Sequence, residues 1–193
     1  MHVSLLLAAF PPELAGLDAA APPGWVTGLT GVGAVTAAVE TARLLSHHRP
    51  GRVLFVGTCG AYDSRLAVGD LLSSAEAIAV SLDEREGRAY RPVVERTRWP
   101  ATWALPFPAH AVAVPPAITC TEPGAQALAG LAAVEHLELT GVFAACHAAG
   151  VPVAAALAVA NRVGPDASAG WKANHARVSR ALVDGLRRAG VLA

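Results

Sequence analysis

An α/β fold built around a largely buried sheet is predicted by three observations. Short apolar runs alternate with stretches of helical composition. The runs are continuous rather than alternating, as in strands covered on both faces. Hydrophobic residues make up 53% of the 193-residue chain, enough for one full core of ordinary domain size and too few for two. A single domain spanning residues 1–193 is therefore expected.

In chain order, Val3–Ala9 reads as the first strand, stopped by Pro11 and Pro12. Trp25–Leu29 reads as the second, followed by the loop TGLTGVGAV and a helix over Val35–Ser46. His47 and His48 close that helix, where a cation complements the dipole. Arg52–Val56 is the third strand, and the glycines of VGTCGAY then read as a turn. Leu71–Ser81 and Gly87–Val94 are weaker strands on either side of a charged turn, Asp83-Glu84-Arg85-Glu86. Arg91–Pro116 carries six of the 14 prolines, with Trp99, Trp103 and Phe107; it reads as an irregular insert, either the wall of a site or an oligomer contact. Ala111–Thr119 and Pro152–Ala160 are further strands, and Gly124–Ala129, Leu139–Ala149 and Ala169–Arg188 helices. In the last helix Trp171, Val178, Leu182 and Leu186 share a broad face, and Gly190 is a stop signal.

Composition narrows the function. Fifteen Lys and Arg balance fifteen Asp and Glu, so no polyanion is favoured as a partner, whether nucleic acid or an acidic membrane face. A small molecule moves ahead of both. With 16% charged residues little solubilising charge is available, and a homodimer or larger homo-oligomer is expected. Cys59, Cys120 and Cys146 lack CxxC spacing, which argues against a disulfide framework and a zinc site and suits a reducing cytoplasm. The start MHVSLLLAAFPPEL has no basic region, and neither its apolar run nor Val151–Ala160 approaches the ~18 residues of a membrane span. No leader and no membrane contact are expected.

Four segments place polar groups at strand ends, where α/β proteins bind ligands. Glu13 follows the first strand, as a candidate general base or as a carboxylate complementing a helix dipole. Thr58, Cys59 and Gly60 follow the third, with backbone open to close approach and a hydroxyl to offer; a tight turn is the plainer reading. Glu135 and Glu138 stand three apart in VEHLELTG at the start of an apolar helix. Glu138, surrounded by Val142, Phe143 and Ala145, needs hydroxyl or cationic partners, which ribose hydroxyls would supply. Asn161 ends the run VPVAAALAVA and can offer a ligand both donor and acceptor, or simply form a turn. Gly28, Gly31 and Gly33 have GxxGxG spacing, which is not the dinucleotide fingerprint. His136 and His175 are further candidates to line a site; Cys59 has no neighbouring base in sequence and is not expected to be a nucleophile.

Taken in order, AAFPPEL, TGVGAVTAA, VGTCGAYDSRLAVGDLL and VEHLELTGVFAACHAAGVPV resemble the superfamily of nucleoside phosphorylases and nucleosidases across most of the chain. The resemblance implies a three-layer α/β/α fold with a central mixed, partly barrel-like sheet, a purine nucleoside as substrate, and neither cofactor nor metal. It places Glu138 at the ribose-binding carboxylate and Leu137 at the family's Met. Thr58, Cys59, Gly60 and His136 are expected beside the substrate.

Where phosphorylases carry cations for phosphate, Glu13 and Phe55 stand here. The hydrolytic branch uses a Glu in that position to orient and deprotonate water, so hydrolysis is expected rather than phosphorolysis. Adenine-cleaving nucleosidases carry an Asp where Asn161 stands. The segment ANRVG with the downstream Trp171 is similar to futalosine hydrolase, implying a 6-oxopurine nucleoside and a catalytic trio of Glu13, Glu138 and Asn161. Leu157 and Ala160 replace the family's usual Arg and Ser ahead of that position. A methylthioadenosine or adenosylhomocysteine nucleosidase, a phosphorylase and a non-catalytic nucleoside binder are the alternatives.

Overall fold

The computed structural model describes residues 3–17, 21–62 and 64–192. Its first strand, β1 (Ser4–Ala8), is buried along its length and is followed by a single 3-10 turn, Pro11–Leu14. Pro11 and Pro12 suit the start of such a turn because φ is preset and no N–H is needed there. Next come β2 (Trp25–Leu29), parallel to β1, and α1 (Ala34–His48). Strand β3 (Arg52–Ala61) runs five residues further than expected. The presumed glycine turn at 57–60 is extended backbone, because β3 is paired there with strands on both sides. Strand β4 (Leu71–Ala79) leads into α2 (Leu82–Arg85).

Three expectations for the middle of the chain fail, one of them the strand at Ala111–Thr119, which stops at Val114 because Pro115 and Pro116 follow. The charged segment 83–86 is helical rather than a hairpin turn, because Ser81 and Glu84 form a reciprocal capping box, with Glu84 N–H donating to Ser81 Oγ at 3.2 Å and Ser81 N–H to Glu84 Oε2 at 2.8 Å. The predicted strand at Gly87–Val94 is irregular chain, tied back through Arg91 to Glu84 at 2.7 Å. The strand pairing with β4 is β5 (Arg98–Pro100), further along. The remaining elements are β6 (Ala109–Val114), α3 (Glu122–Ala129), β7 (Val134–Glu135), α4 (Leu139–Ala149), β8 (Val153–Arg162) and α5 (Ala167–Arg188).

The sheet is mixed and closes on itself. Strand β3 pairs with β8, β8 with β4, β4 with β6, β6 with β7, and β7 returns to β3, a ring of five. The first half of β3 carries β1 and β2 as a parallel extension, and β5 extends β4. Helices α1 and α4 cover one face, where Leu44, Leu139, Val142 and Phe143 pack on Leu5, Phe55 and Val153. Helix α5 covers the other with Val178, Leu182 and Leu186 against Leu6, Leu54 and Ala156. This is the three-layer α/β/α arrangement with a partly barrel-like sheet. Every residue from Val153 to Asn161 is buried, consistent with its unbroken apolar run.

Helices α1 and α4 cross at glycine. A Cβ on Gly141 would fall on the Ala34 carbonyl oxygen and within 2.9 Å of Ala38 N, so only a hydrogen fits between the two backbones. Among the described residues, no helix is long and apolar enough to cross a membrane.

Candidate active site

The C-terminal ends of β1, β3 and β8 open onto a cavity of about 370 Å³, which the start of α5 and the segment between β7 and α4 help to enclose. Thr58, Cys59, Gly60, Glu13, His136, Leu137, Glu138 and Asn161, scattered along the sequence, all line it. Glu135, Phe10, Ser168 and Trp171 line it too. Of these, Glu135 and Trp171 stand out in the sequence, but nothing there gives them a place in the site. Phe10, the residue after the Ala-Ala at the end of β1, gave no signal at all.

Glu13 sits on the 3-10 turn and is 3% exposed. The main chain of Thr58 donates to its Oε1 at 2.8 Å, the Thr58 hydroxyl donates to the same oxygen at 2.9 Å, and Ala9 N–H donates to Oε2 at 3.1 Å. These bonds favour the anion. Burial opposes them more strongly, the nearby Glu138 carboxyl adds to it, and the Glu13 carboxyl is raised to about 7. A base that titrates near neutrality is suited to taking a proton from water. The dipole explanation for Glu13 loses its basis, since the carboxyl bonds to another strand rather than to a helix end. Gly57 makes the convergence possible: a Cβ there would lie 2.9 Å from Phe55, 3.0 Å from His136 and 3.3 Å from Glu13. The extended glycine segment of β3 therefore serves close approach rather than chain reversal.

The two carboxyls of VEHLE, expected on one helix, come from different elements. Glu135 belongs to β7, while Glu138 is the residue before the first turn of α4. Glu138 Oε1 accepts Gly33 N–H at 2.8 Å, and Gly33, at φ 89°, holds a backbone conformation that side chains disfavour. The glycine loop ahead of α1 thus anchors a carboxyl.

His136 is buried and its pKa is lowered by that burial, against the pull of Glu138. Its Nδ1 accepts the Glu138 main-chain N–H at 3.1 Å, which leaves the proton of the neutral ring on Nε2. The 3.1 Å approach of Nδ1 to Glu138 Oε2 is then no ion pair. With the Nδ1 lone pair taken by the main chain, Glu138 Oε2 receives no hydrogen from the ring, an arrangement that favours an incoming hydroxyl donor.

At the other end of the cavity, Gly60 pairs in register with Glu135 on β7 and with Asn161 on β8. A bulge at Ala160 shifts the register just before this point, re-aiming the strand end. Asn161 lies within β8 rather than in a turn, and its Nδ2 donates to the Arg162 carbonyl at 2.8 Å. One amide hydrogen and Oδ1 remain. Leu157 and Ala160, which replace polar residues of the resembling family, are buried core; Asn174 of α5 instead donates to the Ala160 carbonyl at 3.1 Å. Glu135 accepts the Tyr62 hydroxyl at 2.5 Å and Thr119 N–H at 3.0 Å.

Cys59 is buried, and burial with the charge of Glu13 pushes its thiol well up, so it is a wall and not a nucleophile. His175 stacks on Trp171 with centroids 4.2 Å apart, behind the cavity wall. Trp99, Trp103 and Phe107 do not line the cavity: Trp103 donates to the Val53 carbonyl at 3.2 Å, at the start of β3, and Phe107 packs beside Gly185. Trp103 and Phe107 are partly buried against the core, away from the cavity. Phe10 and Trp171, 5.8 Å apart, are the rings available to a bound base.

A family model described as the phosphorylase superfamily matches residues 25–133. A 47-residue stretch, 24% of this chain, is 47% identical to 5′-methylthioadenosine/S-adenosylhomocysteine nucleosidase of Psychromonas ingrahamii and spans 20% of that relative's length. The fold is that of two solved structures. One is 5′-methylthioadenosine/S-adenosylhomocysteine nucleosidase of Helicobacter pylori, with a TM-score of 0.83 at 13% identity over 98% of each chain. The other is a futalosine hydrolase mutant of the same organism, with a TM-score of 0.82 at 14% identity over 97% of each chain.

Proposed function

Because the chain belongs to the phosphorylase superfamily, we propose that its cavity is the active site of a purine nucleosidase that hydrolyses the N-glycosidic bond. The observation that carries this reading is Glu13, enclosed, held by three donors and titrating near 7. A carboxylate poised there takes a proton from water as it attacks the anomeric carbon of ribose. Glu138, facing His136 Nδ1, receives ribose hydroxyls, and its charge favours the oxocarbenium-like sugar of the transition state. Three carboxyls line the cavity, and among its described lining residues none is Lys or Arg, a lining that repels phosphate and favours water as the nucleophile.

A 6-oxopurine is the preferred base. Asn161 has a hydrogen to give to N7 or O6, and Glu135, across Gly60, is an acceptor suited to the N1–H that a 6-oxopurine has and adenine lacks. Adenine release from methylthioadenosine or adenosylhomocysteine is the second reading, favoured by the nucleosidase of 47% identity over 47 residues. Chromatography of the protein incubated with inosine, futalosine, methylthioadenosine and adenosylhomocysteine, each with and without phosphate, tests both. Hypoxanthine formed without phosphate supports the first reading and adenine the second. Phosphate-dependent release overturns hydrolysis, and binding without release overturns catalysis.

Glu138→Gln is expected to lower turnover roughly 10- to 100-fold, the worth of the charge-assisted bonds it removes. The fold is expected to persist, since the amide can keep its oxygen on Gly33 N–H. Steady-state kinetics with a thermal melt of the same sample checks both halves.

The mouth is rimmed by apolar side chains: Val32 and Ile118 line it at 60% and 59% exposure, and Val35 and Val39 continue from Val32 along α1 at 80% and 62%. A second copy over this patch would bury it and narrow the opening. A dimer mass in dilute neutral solution is expected, and a monomer mass would count against the arrangement.

A further inference from the structure

Trp171 and Thr58 stand 113 residues apart, yet Trp171 Nε1 donates to Thr58 Oγ1 at 3.0 Å, and that hydroxyl donates to Glu13 Oε1 at 2.9 Å. An indole nitrogen is a donor and never an acceptor. The single hydroxyl hydrogen of Thr58 therefore cannot point at Trp171, and the chain of bonds runs one way, from indole to hydroxyl to carboxyl.

We propose that Trp171 is a positioning residue whose indole N–H fixes Thr58 as a donor to Glu13 and thereby sets the aim and protonation of the base. This deepens the nucleosidase reading and rests on it for its catalytic meaning; the bonded chain itself does not. Without the indole hydrogen, Thr58 is free to turn its hydroxyl towards the cavity. Its donation to the carboxylate also loses the polarisation that an incoming bond supplies.

Several other groups bear on Glu13. From β3 comes Cys59; from the segment joining β7 to α4 come His136 and Glu138, the latter pushing the carboxyl up. From α5, His175 lies behind the Trp171 ring, while Arg180 and Arg187 meet the chain further along, at Gly16. None of these groups donates to Thr58 Oγ1, so the indole's contribution is separable from theirs.

The first test needs no substrate. In proton–nitrogen correlation spectra of the full chain, the indole signal lost in Trp171→Phe is expected to move with pH, with a midpoint of about 7, and to stop moving there in Glu13→Gln. An indole signal that stays still in the wild type, or titrates equally in Glu13→Gln, overturns the proposal.

The second test uses turnover. Trp171→Phe keeps an aromatic ring in the wall and removes the N–H together with the five-membered half of the indole, so the readout is the midpoint of the pH profile and not turnover alone. The midpoint of the acid limb of its kcat profile is expected to rise by about half a pH unit, because the carboxylate loses support. Reduced turnover with an unmoved midpoint assigns Trp171 to packing and overturns the proposal. Should the wild type release no base, the nucleosidase reading fails, and the spectra still decide the bonded chain.

Discussion

Glu13→Gln is expected to lower base release by roughly 10² to 10⁴, the range for loss of a positioned general base, and to change how stability depends on pH. The carboxyl is raised from 4.5 to about 7 by burial. Between those values the folded protein holds a proton that the unfolded chain has released. The associated stability is present in full below about 4.5, declines as pH rises, and is gone once pH passes about 7. Its size is about 3 kcal/mol. The variant has no proton to hold, so its melting temperature is expected to lose that downward slope. Its amide leaves a donor facing either Ala9 N–H or Thr58, so a lower plateau is compatible with the argument. Melts of both proteins from pH 5 to 8 check this; parallel curves would mean that Glu13 is not buried as an acid. The same range governs catalysis with the opposite sign, because only the ionised carboxylate takes a proton from water. The site is most active where the fold bears the burden of its buried charge.

Gly141→Ala is expected to be strongly damaging, since the clash there is the closest among the described glycines. Its Cβ would meet the Ala34 carbonyl oxygen and approach Ala38 N to 2.9 Å, and backbone cannot rotate aside as a side chain can. A loss of about 3 kcal/mol or more is expected, read as a drop in denaturation midpoint. Activity should fall further than the folded fraction does. Helix α1 begins at Ala34, directly after the Gly33 N–H that holds Glu138, and pushing the helices apart draws that anchor away. Unchanged kinetics in the surviving folded protein would disconnect the helix crossing from the site.

The layers of the fold were legible because periodicity and burial are local signals. The continuous runs LLLAA, VLFV and VAAALAVA read as buried strands and are buried strands. Of the nine residues named for the site from the sequence, all but His175 line one cavity. What was not legible depends on partners distant in sequence. Glycines 57 and 60 look like a turn when only their neighbours are considered. They lie in a strand because β8, some hundred residues on, pairs with them, and because Glu13 and Asn161 need the space a side chain would fill. The aromatic insert reads equally as a site wall or an oligomer contact, yet it does not reach the cavity: Trp103 bonds to the start of β3 and Phe107 packs beside Gly185. Two local signals point the right way against the reading: Ser81 and Glu84 spell a capping box ahead of the helix at 82–85, and Pro115 and Pro116 stop the strand that begins at Ala109.

The closed ring of five strands also has a consequence for how the chain assembles. Strand β8 bridges β3 and β4, and it is the last of the ring's five strands to leave the ribosome. Until it arrives, most of one margin of β3 and the start of β4 present unpaired N–H and C=O groups beside largely apolar residues, the kind of edge that recruits other chains. Contacts of such long sequence separation also close slowly. The yield of native protein should therefore depend on how long the nascent chain waits for its final stave, and slowing translation ahead of Val153 would favour aggregates over folded molecules.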